Sequence, residues 1–185
     1  MLPKRRWREK AVERMKIELK RWAPGDRAAL SAIGNGVDRS FLSDRLPDPY
    51  TVADADQWLH SVMARDGKNG IFRAIVVDGQ IVGTVSVDQK EDVYRKDADI
   101  GYFLVNGLWS RGIMTEAVRQ VCDLAFAQLD IVRITGLVYA DNMASRRVLE
   151  KNGFQAEGLM RDAIFKKGRL HDQCIYGKRK ADSSR

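Results

Sequence analysis

The stretch that most constrains the fold runs from Asp99 to Leu129, where an apolar strand, a short loop and a long amphipathic helix follow one another. The strand ends at an Asn-Gly pair, residues 106–107, which favours a turn. Apolar residues then recur at helical spacing from about Met114. A strand, a glycine-containing loop and a helix N-terminus often bind a phosphate group on backbone N–H groups. The stretch therefore predicts an anion-binding loop in front of the long helix.

The segments around this stretch predict how it is embedded in a sheet. Residues 131–139 form a nearly continuous apolar run, which suggests a βαβ unit with a buried central strand. Upstream, Asp78-Gly79 separates two apolar runs and predicts a β-hairpin. A short helix from Asn142 to a C-cap at Gly153 and a final hairpin at residues 167–168 complete the order β α α β β β α β α β β.

Composition limits the class of protein. With 185 residues, 44% of them apolar and 31% charged, the chain fits one globular domain. No apolar run approaches the ~20 residues that span a bilayer. Cys122 and Cys174 have no His or Cys at metal-ligand spacing, and we predict buried, reduced thiols. We therefore expect a cytoplasmic protein without a membrane segment or a metal. Monomer and dimer both remain open.

The net charge of +7 is concentrated near the N-terminus. Residues 1–22 carry nine Lys or Arg and three Glu, so that residues 23–185 are left with a charge of only +1. We predict a basic extension at residues 1–15 and a single domain at residues 16–180. Two interpretations of the extension stay open. It is a solvated tail, or it contacts RNA or the ribosome through the phosphate groups.

Four motifs stand out in sequence order: D-I-G-Y-F-L at 99–104, W-S-R-G-I-M-T-E-A at 109–117, N-x-x-S-x-x-x-L-E-K-x-G-F at 142–154 and H-D-x-x-x-Y-G at 171–177. Together they resemble the GNAT N-acetyltransferase superfamily, most closely its RimJ/RimL branch of ribosomal-protein N-terminal acetyltransferases. The resemblance covers about residues 16–178. It implies an α+β fold, with a mixed, mostly antiparallel central sheet of about seven strands flanked by about four helices.

The resemblance also implies acetyl-CoA as cosubstrate, without a metal. The loop at residues 110–115 would bind the pyrophosphate, since Gly112 permits close backbone approach and Arg111 adds positive charge. Ser110 departs from the family pattern, which usually has Gly there. The residues assigned to coenzyme A are Phe103, Leu104, Val105, Ser110, Arg111, Gly112, Ile113, Met114, Thr115, Asn142 and Ser145. Of these, residues 103–105 would bind the pantetheine arm through their backbone groups.

Two residues are predicted to take part in the chemistry. The attacking amine must be neutral, so a nearby carboxylate is useful, and Asp99 occupies the position where the family has a Glu base. A strand-end ion pair is the alternative for Asp99. Many family members protonate the leaving thiolate with a Tyr, but Leu149 stands at that position. Ser145 is the predicted substitute, and a simple first-turn helix residue is the alternative.

The predicted function is transfer of an acetyl group from acetyl-CoA to a primary amine, by direct attack in a ternary complex. A protein or peptide N-terminal amine is the favoured acceptor. The first alternative is a small amine such as an antibiotic, a polyamine or an amino acid. The second is a ribosome- or RNA-binding protein with a vestigial acetyltransferase fold.

Overall fold

The computed structural model describes residues 15–184, so the predicted basic extension lies outside the described residues except for Met15. Within that range the chain forms seven strands and four α-helices. The strands are β1 (Ile17–Arg21), β2 (Gly70–Val77), β3 (Gln80–Gln89), β4 (Asp97–Leu104), β5 (Arg133–Tyr139), β6 (Gln155–Lys166) and β7 (Arg169–Arg179). The helices are α1 (Arg27–Asn35), α2 (Val52–Arg65), α3 (Ile113–Gln128) and α4 (Met143–Lys151).

All seven strands form one sheet in the order β1-β2-β3-β4-β5-β7-β6. Every neighbouring pair is antiparallel except β4 and β5, which run parallel and are joined by α3. A parallel pair needs such a crossover, because a tight turn reverses the chain direction. The predicted mixed, mostly antiparallel sheet with about seven strands and four helices is therefore confirmed.

The two faces of the sheet carry separate apolar clusters. Ile71 and Ile75 of β2 belong to the larger cluster, which includes the buried side of α3. Phe72 and Ala74 belong to a second cluster with residues of α1 and α2. Successive strand residues point to opposite faces, so α3 covers one face of the sheet while α1 and α2 cover the other.

The parallel strands β4 and β5 part soon after they meet. They pair only where Asp97–Asp99 lies beside Arg133–Thr135, although both strands continue beyond these residues. From Ile100 onward, β4 remains paired with β3, and β5 remains paired with β7. A gap therefore opens in the middle of the sheet, and it positions the candidate site.

Candidate active site

A cleft of about 1220 Å³ lies at this gap. Its walls are the C-terminal halves of β4 and β5, residues 108–115, the inner side of α4, residues 41–44 and part of the β6–β7 hairpin. All predicted site residues line it except Asp99 and Val105. The fold thus brings together predicted residues that are up to 42 positions apart in the sequence, from Phe103 to Ser145.

The loop in front of α3 presents a group of free backbone donors. Ser110 and Gly112 have φ angles of 61° and 77°, which are left-handed, and Gly112 is the N-cap of α3. Glu116 N–H donates to the carbonyl of Gly112 at 3.1 Å, and no side chain caps the helix. Within the described chain, the N–H groups of residues 110–115 donate to no backbone acceptor. Six such donors at a helix N-terminus form a binding site for an anion.

The pairing of β4 with β3 determines which backbone N–H and C=O groups of β4 face the gap. The N–H of Val105 donates to the carbonyl of Val82 at 3.0 Å. Ladder bonds alternate along an antiparallel strand, so Phe103 also turns its N–H and C=O to β3, whereas Leu104 turns its groups into the gap. The prediction that residues 103–105 would all offer backbone groups to the pantetheine arm is therefore corrected. Among these three residues, Leu104 faces the gap, and Tyr102 and Ile100 do so by the same alternation.

One of the groups that face the gap already has a partner. The indole Nε1 of Trp109 donates to the carbonyl of Leu104 at 2.9 Å, although its side chain is 44% exposed. This bond ties the start of the anion loop to the end of β4. The sequence alone does not predict that Trp109 binds the carbonyl of Leu104. This contact depends on how the chain turns at residues 106–108.

The first turn of α4 carries the predicted Ser145. Asn142 is the N-cap, and its Oδ1 accepts from the N–H of Ser145 at 3.0 Å. The Oγ of Ser145 lies 2.7 Å from the hydroxyl of Tyr102 on β4. Burial raises the pKa of Tyr102 to about 12, so this phenol stays protonated across the physiological range. The sequence analysis did not identify Tyr102 as a site residue.

Burial determines the roles that Leu149 and Cys122 can have. Leu149, which stands where many family members have a Tyr, is fully buried, and its Cδ1 would lie 2.7 Å from a Cβ added to Gly136. It therefore supplies packing at the base of the cleft.

Cys122 is fully buried on α3, and burial raises the pKa of its thiol to about 12. A thiol in this state is not a nucleophile at neutral pH.

Asp99 is the last residue of β4 that pairs with β5, and the two strands part beyond it. Its Oδ1 lies 3.1 Å from Nζ of Lys90, which also donates to Asp97 at 2.7 Å. Burial raises the pKa of Asp99, and the Lys90 ammonium opposes this shift. The ion pair agrees with the structural alternative for this residue. Its role as a general base stays a prediction.

Another part of the cleft wall is formed by the segment after α1 and by the β6–β7 hairpin. Lys166, whose side chain is only 7% exposed, binds the carbonyl of Leu42 and lies 2.8 Å from a carboxylate oxygen of Asp44. The Phe41 ring packs edge-on against Tyr139 with 5.4 Å between the ring centroids. These contacts form a wall of aromatic and polar groups in the cleft.

Charged side chains of both signs line the cleft. Asp38, Asp44 and Asp141 contribute carboxylates, and Arg111, Arg147, Lys151 and Lys166 contribute cations. Asp141 is 3.6 Å from Nδ1 of His171. A hydrogen bond from Ser40 lowers the pKa of Asp38, which keeps its carboxylate charged. Because Asp44 pairs with Lys166, Asp38 and Asp141 are the carboxylates of this lining that could attract a cationic group.

Comparison with known proteins identifies this arrangement. Residues 16–155 match the family described as Acetyltransferase (GNAT) domain. The chain belongs to the GNAT acetyltransferase family. Over 140 residues it is 40% identical to the probable N-acetyltransferase YjcK of Bacillus subtilis strain 168, a match that covers 73% of this chain and 76% of that relative.

Two further similarities lie closer to the RimJ/RimL branch. The chain is 35% identical over 108 residues to the putative ribosomal N-acetyltransferase YdaF of Bacillus subtilis strain 168, a match that covers 58% of this chain and 58% of that relative. The fold matches RimL, the ribosomal L7/L12 alpha-N-protein acetyltransferase in complex with coenzyme A, with a TM-score of 0.78. That match covers 88% of this chain and 93% of RimL at 22% identity. The resemblance inferred from the motifs is confirmed.

The GNAT enzyme transfers an acetyl group from acetyl-CoA to an amine. The six free N–H groups of residues 110–115 fit the pyrophosphate of this cosubstrate, because they provide donors without a competing protein acceptor. Within residues 15–184, no group of three or more His, Cys, Asp or Glu side chains could hold a metal ion. No helix in the same range is long and apolar enough to cross a membrane.

Proposed function

We propose that the acceptor is the α-amino group of a protein or peptide, and that it attacks the thioester directly in a ternary complex. The observation that carries this proposal is the pair of carboxylates, Asp38 and Asp141, that line the cleft. A cationic amine is attracted to such groups.

The acidity of the acceptor provides a second argument. A free α-amino group has a pKa of about 8, whereas a lysine or polyamine nitrogen has a pKa of about 10. The α-amine therefore needs less help to become neutral. Asp99, the predicted base, is held by Lys90 and does not line the cleft, which supports an acceptor that depends little on a strong base. The names of the relatives YdaF and RimL support the same class of acceptor.

On the donor side, the proposed roles follow from the geometry. The amides of residues 110–115 bind the pyrophosphate, and the gap-facing groups of β4 hold the pantetheine arm. The hydroxyl of Ser145 donates to the sulfur as negative charge develops there. The carbon–sulfur bond then breaks as the carbon–nitrogen bond forms, and the proton lost by the amine balances the proton gained by the thiolate. Removing the Ser145 hydroxyl should lower kcat about tenfold to a thousandfold.

A panel of acceptors tests the proposal through release of free thiol from acetyl-CoA. We expect activity with peptides that have a free N-terminal Ser, Ala or Thr. The matched control is the same peptide with a blocked N-terminus and an internal Lys, which should be inactive. Spermidine, free amino acids and aminoglycosides represent the small-amine alternative. Activity confined to those small amines would refute the protein-acceptor proposal.

Two measurements sharpen this test. For an α-amine, kcat/KM of the acceptor should level off near pH 8, whereas an ε-amine would give a rise that continues toward pH ~10. Asp141→Asn should raise KM of the peptide about threefold to tenfold without changing KM of acetyl-CoA. The control is Asp123→Asn on the exposed side of α3, where the carboxylate pairs with Arg119. An equal effect of both substitutions would show that only overall charge matters.

The basic residues 1–22 support a proposed contact with the ribosome, since their net charge is +6. Phosphate contacts weaken steeply with salt. Deletion of residues 1–14 should abolish salt-sensitive cosedimentation with ribosomes and leave peptide acetylation intact. Cosedimentation that survives the deletion would contradict this contact without affecting the proposed acceptor.

A further inference from the structure

A buried lysine joins the β6–β7 hairpin to the segment after α1. Lys166 is the last residue of β6, and its side chain is only 7% exposed. Its Nζ donates to the carbonyl of Leu42 and lies 2.8 Å from a carboxylate oxygen of Asp44. These partners are 124 and 122 positions away in the sequence, and all three residues line the cleft. One side chain therefore links two remote parts of the cleft wall.

The burial of this ammonium group calls for a physical reason. Removing a charged lysine from water costs free energy unless its donors are satisfied, and an apolar residue at the end of β6 would avoid that cost. The side chain of Asp44 is 80% exposed, so its carboxylate stays solvated without a cation. An ion pair with such an exposed partner contributes little to the stability of the domain. The main effect of Lys166 is therefore local, because it fixes the position of residues 42–44.

The same segment has a second anchor at its other end. The N–H of Asp38 donates to Oδ1 of Asn106 at 2.7 Å, in the turn that follows β4. Between the two anchors, the Phe41 ring packs against Tyr139 of β5. Among residues 15–184, the side-chain hydrogen bonds of Lys166 go only to this segment, whereas Asn106 lies just before the anion loop. Lys166 is therefore the anchor that can be removed without disturbing that loop.

A ternary complex requires the cleft to hold two molecules at once. The amides of residues 110–115 and the gap between β4 and β5 take the cosubstrate, so the acceptor needs lining that these groups leave free. We propose that Lys166 is a positioning residue for the acceptor, which holds residues 42–44 in the arrangement that the acceptor contacts. The inference rests on the proposed ternary complex and applies to a peptide and to a small amine alike.

Removing Lys166 has two effects of opposite sign. A wall that has lost its anchor adopts arrangements that do not bind the acceptor, and the apparent affinity falls with the fraction of molecules that remain competent. Loss of the ammonium group also leaves the Asp44 carboxylate unpaired, which would attract a cationic amine and strengthen its binding. The direction in which KM changes therefore distinguishes positioning from charge.

Steady-state kinetics of Lys166→Met tests the proposal with the most active member of the panel of peptides, spermidine, free amino acids and aminoglycosides. Methionine has a similar length but lacks the charge and the donors. We expect KM of the acceptor to rise about 5- to 50-fold, with kcat and KM of acetyl-CoA within about twofold of the wild type. Lys166→Met/Asp44→Asn should show at least the same rise. The matched control is Lys20→Met, which removes a lysine that pairs with Asp26 at 2.6 Å outside the cleft and should keep the wild-type KM.

Three outcomes would overturn the inference. KM of the acceptor falls in Lys166→Met and returns to the wild-type value in the double variant, which would assign the effect to the charge of Asp44. KM of the acceptor is unchanged in both variants, or KM of acetyl-CoA rises by the same factor. Thermal unfolding shows whether each variant is folded, and Lys166→Gln replaces Lys166→Met if that chain unfolds. Activity confined to small amines would refute the peptide acceptor and leave this test in place, because the same comparison of KM values applies to them.

Discussion

The contact between Tyr102 and Ser145 leads to a quantitative expectation. Both hydroxyl groups line the cleft, and their oxygen atoms are 2.7 Å apart. For Ser145 to donate its proton to the leaving sulfur, its oxygen must accept from Tyr102. The raised pKa of Tyr102 keeps the phenol available as that donor. Tyr102→Phe removes the hydroxyl, which also donates to the Ser145 carbonyl at 3.3 Å, and preserves the ring, so it isolates the contribution of this hydroxyl.

The size of the effect follows from the usual value of such a bond. A hydrogen bond between neutral groups contributes about 1 to 1.5 kcal/mol, which corresponds to a factor of about 5 to 12 in rate. We therefore expect Tyr102→Phe to lower kcat about tenfold while KM of acetyl-CoA stays constant. The assay is release of free thiol at saturating acetyl-CoA with the best peptide of the acceptor panel.

A double-mutant cycle distinguishes a positioning role from an independent one. If Tyr102 acts through Ser145, Tyr102→Phe should have almost no further effect in a Ser145→Ala background. Tyr94→Phe is the control, because Tyr94 is 66% exposed and does not line the cleft. The reasoning is refuted if Tyr102→Phe lowers kcat by the same factor in both backgrounds. It is also refuted if the single variant has the kcat of the wild type.

Three further predictions concern the stability of the fold. Ser110→Gly should raise the free energy of unfolding in urea by about 1 kcal/mol, because φ is 61° there, and a lower value would contradict the strain. Gly136→Ala should lower it by about 1 to 3 kcal/mol through a clash with Leu149, and additivity with Leu149→Val would argue against this clash. Because burial raises the pKa of Tyr102 to about 12, the folded state retains a proton that the unfolded state loses near pH 10. Stability should therefore fall by about 3 kcal/mol between pH 10 and 12 from this residue, and Tyr102→Phe should reduce the loss in denaturant titrations, whereas an unchanged loss would exclude Tyr102 as its source.

Local signals in the sequence predict most elements of this fold. Asp78-Gly79 turns between β2 and β3 with φ angles of 49° and 82°, the conformation that this dipeptide favours in tight hairpins. Thr51 caps α2 and forms a capping box with Asp54. The long helix was expected from about Met114 and begins at Ile113. In each case the determining residues are neighbours in the chain, so the spacing alone contains the information.

Contacts inside the site depend on information that spacing lacks. Tyr102 and Ser145 are 43 residues apart, and they meet only because the fold brings the first turn of α4 against β4. The direction of the Leu104 backbone depends on the register between β3 and β4, which a shift of one residue would reverse. The ion pair of Asp99 likewise requires Lys90 to lie across the turn from it. A motif identifies which residues belong to the site, whereas the sheet register determines how each one acts.

The gap between β4 and β5 also has a consequence for hydrogen exchange. Tyr102 and Leu104 turn their amides toward the gap, whereas Gly101 and Phe103 turn theirs toward β3. In the free protein, deuterium should enter at every second position of one central strand. The pantetheine arm, lying in the gap, would act as the missing strand neighbour and slow exchange at those alternate positions. The cosubstrate would thus complete the sheet, and the slowed positions would map its path one amide at a time.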